Sequence, residues 1–287
     1  MAKPWLWSYG FGPAVLFISA CSLAPGNVIR GSGRVATERR QASGFDEIEV
    51  CCGMQLILSQ GQTESLEIEA EDNILPEIVS EVIGSRLSVR FDNPGGLKSY
   101  RLNSPVRITV SAIEIRGLGV SGGGSLEAGP VGSDQVSLDL RGGSRAELDA
   151  LAADNLEVEV SGGGRFSAQD LQVGSLMLDL SGGSRASIQA FRGESLELEV
   201  TGGGDVDVAG SVIEQTISLS GGVDYQAGDL ESQETDVRMT GGGRATVWVN
   251  ESLEADLSGG AQLDYFGRPQ VSQQLSGGSR LESRGDR

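Results

Sequence analysis

The chain has 287 residues, 40 acidic against 22 basic side chains for a net charge of −18, and no histidine. That charge repels phosphate backbones and argues against nucleic acid as a partner, while the missing imidazole removes the usual general base of Ser or Cys catalysis and the commonest zinc ligand. Glycine is over-represented, with 43 copies beside only 5% aromatics, a composition of turns and thin layers.

Residues 1–20 carry Lys3 and then the largely apolar run 12–20, the form of a secretory signal peptide. Ile18, Ser19, Ala20 and Cys21 match the lipobox of bacterial lipoproteins. The match implies cleavage before Cys21 and diacylglycerol on its sulfur, hence an exported protein lipid-anchored to a membrane of the cell envelope. Ser22 after the cysteine is compatible with the outer membrane if the host is Gram-negative. No other segment reaches the roughly 18 apolar residues of a membrane span. Residues 21–42 are polar and non-periodic and read as a tether.

A domain over 43–287 follows, with irregular coils at 43–120 and regular ones at 121–287. In the first part the pairs Ile48/Val50, Leu56/Leu58, Leu66/Ile68 and Leu87/Val89 alternate with polar residues, which marks strands with one buried face. Residues 73–82 read as a short helix or turn between two of them. This part is expected to cap the structure against edge pairing. Cys51 and Cys52 are adjacent, a strained arrangement for a bridge, and are expected to sit on a strand as small apolar side chains.

From Ser121 onward a hydroxyl-Gly-Gly triplet or its variant recurs, starting at Ser121, Arg141, Ser161, Ser181, Thr201, Ser220, Thr240, Ser258 and Ser276 with spacings of 18 to 20. A period near twenty is the mark of a solenoid with one coil per repeat. Inside a repeat the apolar residues alternate, as at Ala186, Ile188 and then Leu196, Leu198, Val200. Helical spacing is absent, and glycine pairs would break helices; the LxxLxLxxN pattern of leucine-rich repeats is absent too. The architecture predicted is all-β, a single-stranded parallel β-helix of about 20 residues per coil. The glycines turn its corners. A phosphate loop needs a strand-loop-helix context and usually a lysine, which these sites lack.

The runs SGFDEIEV (43–50) and EAEDNIL (69–75), the Gln60-Gly61 turn and the Ser-Gly-Gly corners together resemble the bacterial family of the putative auto-transporter adhesin, head GIN domain, from about residue 40 to the end. The resemblance implies a right-handed, pectin-lyase-like β-helix without lyase chemistry, exported to the envelope, with a role in adhesion. The crossover preference of parallel strands gives the same hand. Nine long, regular repeats depart from the usual member.

Stacking places equivalent outward residues in columns. Asp139, Glu159, Asp179 and Glu199 form one, with Glu157, Glu197, Asp236 and Glu254 in a neighbouring column. Like charges one strand spacing apart repel by about 0.9 kcal/mol even in water. The column is either a Ca²⁺ ladder or a solvated face that keeps the rod soluble, and the missing calcium-repeat motif favours the second. Arg145, Arg165, Arg185 and Arg244 form another column, read as balancing carboxylates such as Glu147 and Asp149, with recognition of an anionic polysaccharide as the alternative. No catalytic residue, metal ligand or cofactor is assigned. The function predicted is a non-catalytic, lipid-anchored adhesion or scaffold module whose columns meet a surface polysaccharide or protein. The alternative is a polysaccharide lyase or hydrolase using Asp or Glu as acid and base.

Overall fold

Alternating apolar residues interrupted by glycine pairs leave the backbone one economical solution, a ribbon that bends back over its own previous turn. The computed structural model describes residues 27–93 and 96–287 and shows this solution; Cys21 and the signal peptide lie outside the described residues. Parallel coils stack into a β-solenoid of about eight turns, roughly 20 residues each.

The regular coils begin with β10 (Gly117–Val120), β11 (Ser125–Ala128), β12 (Val131–Gly132) and β13 (Gln135–Leu140). They continue through six long ribbons: β14 (Arg145–Val160), β15 (Arg165–Gly182), β16 (Arg185–Gly202), β17 (Asp205–Gly221), β18 (Asp224–Gly241) and β19 (Arg244–Gly259). Then come β20 (Gln262–Phe266), β21 (Gln270–Leu275) and β22 (Arg280–Ser283). Each ribbon pairs in parallel with the next, so Leu156 lies over Leu176 and Leu176 over Leu196. Each coil has a first wall just after its glycine corner, a bend, and a second wall leading to the next corner. Ala146, Leu148, Leu151, Leu156, Val158 and Val160 are all at most 2% exposed, and the same six positions recur inward in the next coil. Each fully buried aliphatic side chain contributes about 1.5–3 kcal/mol.

One residue is lost between the coils that begin at Arg185 and Asp205. Ile188 pairs with Val208 but Phe191 with Gly210, so the deletion falls in the bend and leaves both walls in register. A Cβ on Gly210 would lie 2.0 Å from the Phe191 carbonyl oxygen, which is why the tightened bend takes glycine.

Polar residues enter the core only locally. Gln215 replaces leucine in the column between Leu196 and Thr235. Its Oε1 accepts a 3.1 Å hydrogen bond from the Tyr225 hydroxyl, and its Nε2 meets no acceptor among the described residues. Burial pushes the Tyr225 phenol up. Ser232 and Thr235 share a 2.9 Å hydrogen bond, and Ser232 also donates to the Trp248 carbonyl.

The first part of the chain is built differently. It comprises β1 (Asn27–Arg30), β2 (Val35–Arg40), β3 (Glu47–Val50), β4 (Gln55–Gln60), β5 (Ser65–Glu71), β6 (Ile78–Ile83), β7 (Arg86–Phe91), β8 (Lys98–Arg101) and β9 (Arg107–Ala112). Strands β3 and β4 continue the parallel stack under β10 and β11. One layer further β7 pairs in parallel with β3 and β9 with β4, and only beyond these does the pairing turn antiparallel, β9 with β5, β5 with β2, and β7 with β6.

Three expectations are corrected here. Residues 27–40, read as tether, form β1 beside β8 and β2 beside β5; the exposed VATERR strand covers an edge, so it needs no apolar stripe. Only Leu75–Glu77 is helical, a 3₁₀ turn, and 78–83 is a strand of a hairpin. Cys51 and Cys52 are not strand residues: they occupy the corner after β3 and are joined by a disulfide. Register aligns Cys51-Cys52-Gly53 with Ser121-Gly122-Gly123 of the next corner. Cys52 therefore holds the place of the first corner glycine, and its φ of 67° matches the 67° of Gly122.

The N-terminal strap is fastened by one carboxylate. Glu71, 1% exposed, accepts hydrogen bonds from the Gly33 N–H at 2.7 Å, the Asn103 N–H at 3.1 Å and the Asn103 amide at 2.9 Å. The Asn103 amide, ahead of the backbone donors, outweighs desolvation and holds this carboxyl below the usual range. A Cβ on Gly31 would fall 1.6 Å from Glu71 Oε2, so only glycine lets the strap close onto it.

Candidate functional site

The second walls carry the acidic columns. Asp139, Glu159, Asp179 and Glu199 stand in direct register on four consecutive coils. Asp139 is paired with Arg141; no ion pair reaches Glu159, Asp179 or Glu199 among the described residues. The neighbouring column runs Glu157, Met177, Glu197, Thr216, Asp236, Glu254, so an exposed methionine separates the first two carboxylates. Among the described residues no three acidic side chains converge on one cation position.

The first walls carry the arginines. Arg145, Arg165 and Arg185 are adjacent in register, each exposed at the first strand residue after a glycine corner. The chain turns there on two consecutive glycines at Gly142-Gly143 and Gly162-Gly163, all at positive φ. Arg244 belongs to the same column but is separated from Arg185 by Asp205 and Asp224.

Arg145, Arg165 and Arg185, but not Arg244, line a groove of about 480 Å³ along the rod. Its second column reads Glu147, Ser167, Ser187, Asp207, Gln226, so two small hydroxyls lie between the carboxylates of Glu147 and Asp207. Beneath the arginines, Phe166 is buried and fixes the backbone they project from. Arg185 Nε donates to Asp205 at 2.7 Å. No carboxylate lies within ion-pair distance of Arg145 or Arg165 among the described residues, and neither Glu147 nor Asp149 takes the balancing part expected of it. The balancing that does occur comes from the next coil, through Asp205.

Sequence reasoning missed Asp205, Asp207, Ser167 and Ser187. The signal was present, since Asp205 follows Arg185 by 20 residues, but only a column followed through its interruptions shows it.

The architecture matches solved structures. A putative lipid binding protein from Parabacteroides distasonis superposes with a TM-score of 0.71 at 20% identity, over 90% of this chain and 99% of the other. A putative adhesin from the same organism gives 0.69 at 19% identity, over 90% and 100%. One from Parabacteroides merdae gives 0.66 at 19%, over 90% and 99%. At these identities the likeness shows the fold alone. No curated protein matches. The family model of the putative auto-transporter adhesin, head GIN domain, matches residues 44–169 and again 163–269.

The chain belongs to the head GIN domain family. The double match reflects the solenoid itself, whose later coils repeat the pattern of the earlier ones. As a head GIN domain protein it is of adhesin type, a family of the cell surface or envelope.

Proposed function

We propose that this protein is a non-catalytic adhesion or scaffold module, tied to the envelope by lipid on Cys21, that presents its side-chain columns to a carbohydrate or protein. The observation that carries the reading is the register: equivalent charged side chains recur on consecutive coils over a fully packed core. A row of like groups on a rigid support multiplies a weak contact without new chemistry. Acid–base catalysis asks for the opposite, two carboxylates whose environments push their pKa values apart. The described chain enters at the cap through β1 and β2, so an anchor at Cys21 would hold that end and leave the regular coils reaching outward, from the outer membrane in a Gram-negative host.

The test uses the full chain. Mass spectrometry of the mature N-terminal peptide should show diacylglycerol on Cys21, and an unmodified Cys21 would remove the anchor. Glycan and protein arrays probed with the purified chain should show enrichment of a partner without turnover. Reproducible glycan cleavage, or no enrichment at all, would overturn the adhesion reading.

A further inference from the structure

Resting on the adhesion reading, the geometry points to the groove over Arg145, Arg165 and Arg185 as a binding site for an acidic glycan, a linear sugar chain that bears carboxylates. The first support is a charge imbalance in the wrong direction. The chain has 40 acidic residues against 22 basic ones, yet Arg145 and Arg165 are stacked in register with no carboxylate within ion-pair distance among the described residues, Glu147 standing in the next column of the groove. Two guanidinium groups one strand spacing apart repel each other even at the dielectric constant of water. The fold relieves such repulsion where it places Asp205 beside Arg185, and it does not do so one and two coils earlier.

The second support is shape. The groove, about 480 Å³, falls within the roughly 300–1,000 Å³ of ordinary ligand sites. It runs across the strands, so its arginines advance by about 4.8 Å per coil, close to the advance of one ring along an extended sugar chain. Carboxylates on the side of the sugar chain that faces the rod would meet guanidinium forks, the geometry that arginine recognises in a bidentate manner. Ser167 and Ser187 lie alongside, small enough to leave room and able to bond ring hydroxyls. At the far end Asp205 and Asp207 reject a further acid group and accept from sugar hydroxyls, which fixes both the length and the direction of the bound stretch. The acidic columns occupy the other wall, beyond the glycine corner, and a Debye length of about 8 Å at physiological salt limits their repulsion.

The test is binding of polygalacturonate to the full chain, with its fully methyl-esterified form as the neutral control. Arg145→Ser/Arg165→Ser is compared with wild type and with Arg192→Ser, whose guanidinium pairs with Asp170 outside the groove. Wild type and Arg192→Ser should bind, more weakly as salt rises; the ester and the double variant should each lose about tenfold or more. The double variant removes exposed side chains, and circular dichroism should show its fold unchanged. No binding of polygalacturonate by wild type, or equal binding by the double variant, overturns the site. If the arrays still find a neutral glycan or a protein partner in that case, the adhesion reading stands and only this site falls.

Discussion

The cap and the coils solve one problem by different means. In the coils each residue meets its own equivalent one turn on, so one well-packed cross-section of Ala146, Leu148, Leu151, Leu156, Val158 and Val160 suffices for many layers. In the cap every contact is made once. Glu71 gathers Gly33 and Asn103, and Arg40 donates to the carbonyls of Leu75 at 2.9 Å and Ile78 at 2.6 Å. A solenoid's middle is repetitive because stacking supplies its partners, and its end is idiosyncratic because an unpaired edge must be closed with local chemistry.

The largest expected effect comes from breaking the repetitive side. Phe166→Ala removes a buried ring, 1% exposed, from between Ala146 and Ala186. It should cost about 3–5 kcal/mol because small neighbours on both sides cannot fill the cavity. Urea denaturation followed by circular dichroism measures it; a loss under about 1 kcal/mol would mean that the coils repack freely.

The corners sharpen the contrast within the repeat. A Cβ on Gly221 would lie 2.1 Å from the Gly202 carbonyl oxygen, at a φ of +115°, whereas one on Gly222 meets nothing within 4 Å. Gly221→Val should therefore lose at least the roughly 1–3 kcal/mol of backbone strain, and Gly222→Ala should stay within about 0.5 kcal/mol of wild type. Equal stabilities for the two would refute the assignment of the turn to the first glycine.

On the cap side, Glu71 makes the strap sensitive to acid. Its folded-state pKa is depressed, so its contribution is present above the ordinary carboxylate range and is lost as pH falls through the lowered value. Amide exchange over residues 31–34 should accelerate in that acid window while the coils stay protected. Glu71→Gln should show faster strap exchange at neutral pH and no such acid step; an unchanged pH profile in the variant would break the link.

The same contrast decides what could be read in advance. The period, the corners and the inward positions were legible because local pattern and neighbouring coil say the same thing nine times over. The strap was not, since VATERR of β2 is mostly exposed and shows no buried stripe. Cys52 was missed because a cysteine stands where the other corners have glycine, and only register with Gly122 reveals the equivalence. For the candidate site the column Arg145, Arg165, Arg185 was legible from spacing, but its interruption by Asp205 and Asp224 before Arg244, and the groove itself, depend on what lies beside each side chain.

The smallest expected effect concerns a place where the coils borrow the cap's manner, a buried polar side chain held by a specific partner. Gln215→Leu would restore an aliphatic column from Leu196 but would leave the Tyr225 hydroxyl buried without its acceptor, at about 1–3 kcal/mol. Tyr225→Phe alone would strand the Gln215 carbonyl in the same way. The double variant removes both polar groups, and such an exchange for apolar groups of similar shape is close to neutral or stabilising. A double-mutant cycle in urea should thus give a coupling of at least about 1 kcal/mol, with each single variant less stable than the double. Additive losses would mean that Gln215 serves the core through some contact other than Tyr225, and that this coil is polar for a reason of its own.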